Sequence, residues 1–422
     1  MKRPHTHIGF VSTRLAGTDG VSLETIKWSK VLEGTLGYEC FYFAGELEWP
    51  PERSYLVPEA HFEHSEIQVL NRDLFDDYVR SPETTSKVQQ LKDHLKMHLH
   101  EFVRKFHLEL LIAENALSLP MNVPLALALT EFAAETRFPV VGHHHDFAWE
   151  RRRYAVSAAD DYLRSAFPPT LRCVHHVVIN SFAARQLALR TGQSSVLIPN
   201  VMDFDTSPPR PDAYAARVRL DLGIPEGMLF LLQPTRVVPR KRIEHSIELG
   251  RRLGARGLPC VLVISHSSGD EGTAYETYLR EYAKALNVKV IFAGDYINHL
   301  RGQRPDGRRI FSLADVYQQA DLVTYPSTVE GFGNAFLEAV YYRRPIVMNT
   351  YEIFRTDIQP KGFRVIGFED FPMDETVEQA EAVLKNRSEE MVEHNYQVGK
   401  RYYSYRTLEK RLAALMNECL GT

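Results

Sequence analysis

The chain has 422 residues, of which 44% are hydrophobic and 25% are charged, and its formal net charge is -4. This length exceeds one ordinary hydrophobic core and predicts two domains, while the composition excludes a disordered chain. The net negative charge argues against a nucleic-acid binder that works by neutralising phosphates.

Cysteine spacing and hydropathy indicate the cellular setting. The four cysteines are scattered and lack CxxC spacing, which predicts reduced thiols rather than disulfide or zinc partners. The N-terminal apolar run is too short for a signal peptide, and the sequence contains no span of ~20 apolar residues that would cross a membrane. We therefore expect a soluble cytoplasmic protein without a transmembrane segment.

Short apolar runs alternate with amphipathic stretches along the chain, which predicts parallel sheets covered by helices. The first half consists, in order, of the strand HIGFVST, the helix SLETIKWSKVLEG, the strands ECFYFAG and LELLIAEN, the helix PLALALTEFAAET, the strands FPVVGHHH and CVHHVVINS, the helix FAARQLALRTG and the strand SSVLIPN. The segment FDTSPPRPDAY follows and is rich in Pro and Asp, which predicts a linker.

The alternation restarts after this linker. The second half consists of the strand MLFLLQPT, the helix RIEHSIELGRRLGARG, the strand PCVLVISH, a helix over 273–287, the strand VKVIFAG, the helix SLADVYQQA, the strand DLVTYPS, the segment EGFGNAFLE and the strand PIVMNT. We predict an α/β protein with two Rossmann-like domains, 1–200 and 201–400, joined near residues 200–217. The pattern alone leaves open which domain the last helix, about 401–422, closes.

The segment EGFGNAFLE lies at a predicted strand-to-helix junction. Its two carboxylates, Glu330 and Glu338, are eight positions apart, and at ~3.6 residues per turn this spacing predicts side chains on nearly the same helix face. The start of a helix favours anions, and Gly331 and Gly333 let the backbone approach a ligand closely. A ligand with an anion and several hydroxyls, such as a sugar nucleotide, fits this combination. The alternative is an ordinary tight turn with a solvated Glu338.

A basic loop follows the first strand of the second domain. Arg236 and Lys241 lie there, and open α/β sheets bind ligands just outside the carboxyl ends of their strands. Two cations at this place suit a diphosphate. The alternative is a solvated basic loop, because Arg240 and Arg242 are basic too.

The loop STRLAGTDGVSLET follows the first strand of the chain and contains Gly17 and Gly20. It lacks the GxGxxG pattern, so a dinucleotide fingerprint is not supported. The glycines either form a turn or offer backbone N–H groups to a ligand between the domains. The Asp203 and Asp205 pair fits an Asp-x-Asp metal pattern, but it lies at the domain junction, so we predict no metal there.

Three adjacent histidines end a strand in VVGHHHDF. Consecutive strand residues point to alternate sides, so the three imidazoles do not easily bind one ion. A single histidine oriented toward a ligand is the more economical interpretation. We select His145, which precedes Asp146, and then His144, and we leave His143 to packing or local hydrogen bonds.

Taken together, these segments resemble the retaining glycosyltransferases of family 4, which have the GT-B architecture of two Rossmann-like domains facing each other across a cleft. Glu330 and Glu338 match the E-x7-E segment of that family, and Arg236 and Lys241 match its Arg-x4-Lys element. LIPNVMDFD resembles the family's IPNGVD turn. The resemblance implies that the last helix crosses back to the first domain.

The resemblance implies a site and a reaction. Glu330 would bind hydroxyls of the donor sugar, Glu338 the ribose, and Arg236 with Lys241 the diphosphate. Backbone and helix-start contacts would come from Gly331, Phe332, Gly333, Asn334 and Ala335, and His145 or His144 would be catalytic. A hexose would pass with retained configuration from a UDP-glucose or GDP-mannose type donor to an unidentified sugar, polyol or lipid-linked acceptor, without a metal or another cofactor. The alternatives are a sugar-nucleotide epimerase of the same architecture and a non-catalytic sugar-nucleotide binding protein.

Overall fold

The computed structural model divides the chain into two compact units, Met1–Val201 with Tyr405–Thr422, and Met202–Ser404. The structure describes residues 6–17, 19–268, 272–386 and 389–421, so Thr422, the last residue of the predicted final helix, lies outside them. All four cysteines are free thiols. Within the described residues, no helix combines the length and the apolar composition needed to cross a membrane.

The first unit is built on a parallel sheet of seven strands in the order β3-β2-β1-β4-β5-β6-β7. Its strands are β1 (His7–Val11), β2 (Glu39–Ala44), β3 (Ser54–Leu56), β4 (Leu110–Glu114), β5 (Val140–His144), β6 (Val174–Val178) and β7 (Val196–Leu197). β4 and β5 are buried at every position, as the near-continuous apolar runs of a sheet covered on both faces require.

Helices cover both faces of this sheet. They are α1 (Gly20–Gly34), α2 (Ser65–Phe75), α3 (Pro82–Phe106), α4 (Val123–Thr136), α5 (Asp160–Ala166) and α6 (Ser181–Thr191). Side-chain caps begin several of them, because Asp19 accepts from two N–H groups of α1 and Asn122 accepts from the N–H of Leu125 in α4. α3 was not predicted from the sequence, although Leu91, Leu95 and Leu99 form a buried stripe along it at helical spacing.

The second unit is built on a parallel sheet of six strands in the order β10-β9-β8-β14-β15-β16. In chain order its elements are α7 (Val218–Asp221), β8 (Leu229–Gln233), α8 (Ile243–Ala255), β9 (Cys260–Ile264), α9 (Ala274–Ala285), β10 (Lys289–Phe292), β11 (Ile297–Asn298), β12 (Gly302–Gln303), β13 (Arg309–Ser312), α10 (Leu313–Gln319), β14 (Leu322–Tyr325), α11 (Asn334–Tyr341), β15 (Ile346–Asn349), β16 (Ile366–Phe368), α12 (Asp374–Asn386) and α13 (Glu389–Tyr403). The final helix, α14 (Tyr405–Leu420), belongs to the first unit and packs against α1. The predicted α/β class is confirmed.

The strand order places a switch point in each sheet. The chain adds strands outward on one side of β1 and then returns to place β4 on its other side, and it does the same with β14 beside β8. In each sheet, the connections that leave the two neighbouring central strands, β1 and β4 or β8 and β14, therefore depart on opposite sides. This opens a crevice at the carboxyl ends of those two strands. The segments after β1 and β4, and those after β8 and β14, are the places where ligands bind in such sheets.

The predicted linker begins with a buried residue. Phe204 has no exposed surface and packs edge-on against Tyr341 and Tyr396 of the second unit. A Cβ at Gly399 of α13 would lie only 2.6 Å from the Phe204 ring. This glycine therefore makes room for the chain that enters the second unit.

We predict that Gly399→Ala destabilises the second unit by about 1–3 kcal/mol, because the added methyl overpacks the Phe204 ring. The matched control is Gly254→Ala in α8, where the new Cβ meets nothing within 4 Å. That variant should gain up to about 1 kcal/mol from helix propensity. Calorimetric unfolding of both variants measures the difference, and equal stabilisation by the two substitutions would contradict the packing assignment.

Candidate active site

The switch point of the second unit carries a buried ion pair. Lys241 lies at the end of a short 3-10 turn after β8, and its Nζ pairs with Glu330 Oε1 from the loop after β14. Arg240 Nη1 is 3.6 Å from the other oxygen of Glu330. The backbone N–H of Thr328 donates to the Arg240 carbonyl at 3.2 Å, so the two loops are also joined through main chain.

Both members of this pair are largely removed from water, with 9% and 11% of the Lys241 and Glu330 side chains exposed. Burial would raise the pKa of the Glu330 carboxyl, but the charges of Lys241 and Arg240 outweigh it and hold this pKa below its ordinary value. Burial lowers the pKa of Lys241, and the charge of Glu330 opposes that effect. Each charge is therefore tolerated because the other is present.

Arg236 differs from Lys241 in being exposed. It follows β8 and lies close enough to His266, in the loop after β9, to affect its titration. Burial, followed by the charges of Arg236 and Lys241, lowers the pKa of His266 to about 4. The structure thus brings two predicted cations and one histidine that the sequence analysis missed to the carboxyl ends of neighbouring strands.

Residues 330–333 form a loop, and α11 begins only at Asn334. The prediction that helical spacing relates Glu330 to Glu338 is therefore wrong, because Glu330 precedes the helix by four residues and Glu338 lies just past its first turn. Glu338 Oε2 accepts from the Tyr317 hydroxyl at 2.9 Å. Gly333 has φ +124°, and a Cβ there would lie 2.2 Å from the Tyr351 hydroxyl, so this position requires glycine.

The other predicted residues of this segment lie within the loop or at the start of α11. Tyr351 donates to the Phe332 carbonyl at 2.5 Å, and the Phe332 ring packs edge-on against Tyr403. Gly331 and Asn334 are partly exposed, whereas Ala335 is buried at the start of α11. The loop is thus fixed from behind by aromatic residues, which leaves its shape little freedom.

A buried hydrogen-bond network fastens the strands beneath this site. The Gln233 side chain, at the end of β8, accepts from Ser246 and Thr324 at 2.8 Å each and donates to Thr235 at 2.7 Å. All four residues are buried, and such a satisfied network rigidifies its surroundings. The ends of β8 and β14 are therefore held in fixed register below the charged loops.

The first unit places His143, in β5, and His145, directly after β5, against the same carboxylate. His143 Nδ1 lies 2.9 Å and His145 Nε2 lies 3.1 Å from the same oxygen, Oε2 of Glu114 at the end of β4. Trp28 of α1 stacks on the His143 ring at a centroid distance of 4.1 Å. Strand alternation explains this arrangement, because residues two apart share a face and β4 pairs with β5 at Glu114 and His143.

His144 points to the opposite face, where its Nε2 lies 2.9 Å from His176 Nδ1. It has no exposed surface, and burial lowers the pKa of His144 and that of His176, the latter to about 4. An inaccessible histidine does not touch a substrate. We therefore carry forward His145 alone as the candidate catalytic histidine.

Gly17 lies in the segment after β1 and Gly20 at the start of α1, and both residues are exposed. Gly17 has φ +72°, and its N–H donates to the Glu48 carboxylate at 2.9 Å. Gly20 is the first residue of α1, and Asp19 accepts from the N–H groups of Val21 and Ser22. Some of the backbone donors of this loop are therefore already used by the protein itself.

Glu114, His143 and His145 also form a group whose potential metal-ligating atoms lie within 4.8 Å of one another, whereas Asp203 and Asp205 join no such group among the described residues. Catalytic zinc sites use three such ligands and an open position. Here both rings lie within hydrogen-bond distance of one carboxylate oxygen. Hydrogen bonds alone therefore account for the arrangement.

Sequence reasoning missed Glu114 and Arg240. Glu114 ends the otherwise apolar run LELLIAEN, and a carboxylate at the carboxyl end of a buried strand is the feature that would have identified it. From the sequence, Arg240 was interpreted only as part of a solvated loop. Its contact with Glu330 joins two segments that are far apart in the chain, so local patterns did not predict it.

Comparison with known proteins identifies the family. The sequence profile of the glycosyl transferases group 1 matches residues 216–401. Mannosylglucosylglycerate synthase of Thermotoga maritima is 33% identical over 434 residues, covering 94% of this chain and 96% of that protein, and the synthase of Petrotoga mobilis is 32% identical over 380 residues, covering 85% and 86%. The chain belongs to the group 1 glycosyltransferases. It is a hexosyltransferase, so the epimerase and the non-catalytic binding protein are set aside.

Solved structures of glycosyltransferases share the fold. A glycosyltransferase of Rickettsia africae has a TM-score of 0.67 at 12% identity, with 99% of both chains covered. Sucrose-phosphate synthase of Thermosynechococcus elongatus has a TM-score of 0.66 at 14% identity, covering 99% of this chain and 100% of that one. The GT-B prediction is thereby confirmed, and a glycosyltransferase of this family uses an activated sugar donor and an acceptor.

The buried pair of this glycosyltransferase yields a stability prediction. Lys241→Met and Glu330→Gln should each cost about 3–5 kcal/mol of unfolding free energy, because each leaves one buried charge without its partner. The double variant should recover most of that loss. Denaturant unfolding of the four proteins gives the coupling, and additive losses would mean that the two charges do not depend on each other.

Proposed function

We propose that this protein transfers mannose from a nucleoside diphosphate sugar of the GDP-mannose type to glucosylglycerate, with retained configuration and without a metal. The observation that carries this proposal is the 33% identity, over 94% of the chain, to a protein named mannosylglucosylglycerate synthase. That name specifies the two sugars and the acid of the product. The reaction is proposed to take place in the cytoplasm.

The charges of the second unit support the donor role. As the glycosidic bond of the donor breaks, negative charge grows on the nucleoside diphosphate, and preplaced cations stabilise it. Arg236 and Lys241 are proposed to hold the diphosphate together with the N-terminus of α11. Glu330 is then a ligand of the sugar hydroxyls, and Glu338 a ligand of the ribose.

The ion pair between Lys241 and Glu330 is compatible with this role. An ammonium group has three N–H donors, so Lys241 can keep one hydrogen bond to Glu330 while it donates to a phosphate oxygen. The carboxylate would then fix the position of the cation in the bound state as it does in the ligand-free protein. Arg236 is exposed and contributes a planar donor fork that suits phosphate oxygens.

The first unit offers groups for an acidic acceptor. Arg151, Arg152 and Arg153 follow His145 and Asp146 in the chain, and Arg151 already pairs with Asp146 at 2.6 Å. Arg152 and Arg153 are exposed. We propose that Arg152 binds the carboxylate of glucosylglycerate and that His145 is the acid–base group that contacts the reacting hydroxyl of the acceptor.

Incubation of the purified protein with nucleotide sugars and acceptors tests the function. We expect mannosyl transfer from GDP-mannose to glucosylglycerate, retained anomeric configuration in the first product seen by proton NMR, and unchanged rates in EDTA. Glucosylglycerol, in which a hydroxymethyl group replaces the carboxylate, should be a much poorer acceptor than glucosylglycerate. Failure to transfer with every pair tested would reject the proposed reaction. Inversion of configuration would reject retention, and a requirement for a divalent ion would reject metal independence.

Arg236→Ala should weaken binding of the nucleoside diphosphate by ~10-fold or more, because charge-assisted contacts contribute ~1.5–3 kcal/mol. Its stability should stay near that of the parent, since Arg236 is exposed. Arg355→Ala is the matched control, because Arg355 is an exposed arginine of the same unit that pairs with Glu369 at 3.0 Å. Calorimetric titration decides, and equal affinities in the two variants would remove Arg236 from the donor site.

A further inference from the structure

Two consecutive residues at the end of β4 hold His145. The Glu114 carboxylate lies 3.1 Å from the Nε2 atom of the His145 ring. The Asn115 side chain accepts from the backbone N–H of His145 at 2.8 Å and from that of Asp146 at 3.3 Å. One residue therefore contacts the ring of His145, and the next contacts its main chain.

The backbone at Asn115 supports this contact. Asn115 has φ +59°, a left-handed conformation that asparagine tolerates better than most residues. Its own N–H donates to the His143 carbonyl at 2.9 Å, and the Ser118 hydroxyl donates to its side-chain oxygen at 3.1 Å. The turn after β4 is thereby locked onto the end of β5.

His143 restrains the Glu114 carboxylate. Its Nδ1 lies 2.9 Å from the same oxygen that His145 contacts, and Trp28 stacks on its ring. The second carboxylate oxygen of Glu114 is buried without a hydrogen-bond partner among the described residues. The two imidazoles are thus the groups that make this buried charge tolerable, because an unpaired buried carboxylate is very costly.

We propose that Glu114 and Asn115 are positioning residues for His145, with Glu114 fixing the ring plane and the nitrogen that carries the proton, and Asn115 fixing the main chain. This inference rests on the catalytic role proposed for His145. Because an ionised carboxylate only accepts, Nε2 must donate to it, and Nδ1 remains the ring nitrogen outside this network.

The charges around His145 agree with this arrangement. The titratable groups coupled to it are Glu114 from β4, Glu24 from α1, and His143, His144 and Asp146 from its own segment. Glu24 is paired with Lys27, and Asp146 with Arg151.

The pKa directions follow from these neighbours. Burial lowers the pKa of His143, whereas for His145 the hydrogen bond and charge of Glu114 outweigh burial and raise the pKa. The two histidines outweigh burial at Glu114 as well and lower the pKa of that carboxyl to about 2. The same carboxylate oxygen therefore accompanies a raised pKa at His145 and a lowered pKa at His143.

The first test is an NMR titration of protein labelled at the histidine Cε1 carbons, with the His145 resonance assigned from His145→Asn. We expect the His145 midpoint above that of an ordinary histidine in the parent and at least about one unit lower in Glu114→Gln, because the opposing charge is gone and burial remains. His176→Asn is the control, since it removes a buried histidine bonded to His144 on the other face. It should leave the His145 midpoint unchanged.

The second test is kinetic. Asn115→Gly keeps the left-handed backbone but loses the acceptor, whereas Asn115→Asp keeps both. We expect Asn115→Gly and Glu114→Gln to lower kcat by ~100-fold, the lower range for a misplaced acid–base group, with little change in KM. Asn115→Asp should retain most of the parent activity. The pH profile of the parent's activity should contain one limb that is absent from His145→Asn. In Glu114→Gln, this limb should move to lower pH.

An unchanged His145 midpoint in Glu114→Gln, or equal losses in Asn115→Gly and Asn115→Asp, would overturn the proposal. One zinc ion per chain in the parent and none in Glu114→Gln would also overturn it, because Glu114 would then be a metal ligand. Full activity of His145→Asn would instead reject the catalytic role within the proposed function. The titration would still report on the contact with Glu114, so the two failures are distinguishable.

Discussion

Parallel strands that are all entered from one edge of a sheet must all end at the opposite edge. In both units the chain builds outward from a central strand and then returns to its other side, so β1 and β4, and likewise β8 and β14, end next to each other. In each unit, polar residues of the candidate site lie at or after the ends of these strands or of their neighbours β5 and β9. The sheet topology thereby gathers residues that are up to about a hundred positions apart in the chain.

In the second unit, the sheet topology brings charged side chains together in a partly buried place. A cation that is suited to a diphosphate must also be stable when no ligand is bound. Burial of an isolated ammonium group costs free energy. Glu330 provides the compensating charge for Lys241, and Arg240 shares it. In the proposed function the same carboxylate also faces the donor sugar, so one residue would serve both stability and recognition. A rigid base of Gln233, Ser246 and Thr324 keeps the loops in place.

The first unit uses the same principle with different groups. A buried carboxylate, Glu114, is compensated by two imidazoles rather than by a lysine. Imidazoles gain and lose protons near neutral pH, so in the proposed function this pairing suits a group that exchanges a proton with the acceptor hydroxyl. In the proposed function, Lys241 of the second unit instead donates to phosphate oxygens.

The amino-acid sequence alone determined the alternation of strands and helices, the α/β class and the segments that line the carboxyl ends of the strands. It did so because hydrophobic periodicity is local and because the strand-end rule holds for all parallel sheets. It also indicated that the three consecutive histidines do not all point to one side, since strand alternation is a backbone property.

Tertiary structure alone decided which groups touch. The period of a helix could not relate Glu330 to Glu338, because α11 begins at Asn334 and the conformation of the preceding loop depends on Tyr351 behind Gly333. The contacts of Lys241 with Glu330, and of His145 with Glu114, join segments 89 and 31 residues apart. Such contacts depend on how strands from distant parts of the chain are ordered in the sheet, and local sequence patterns do not carry that information.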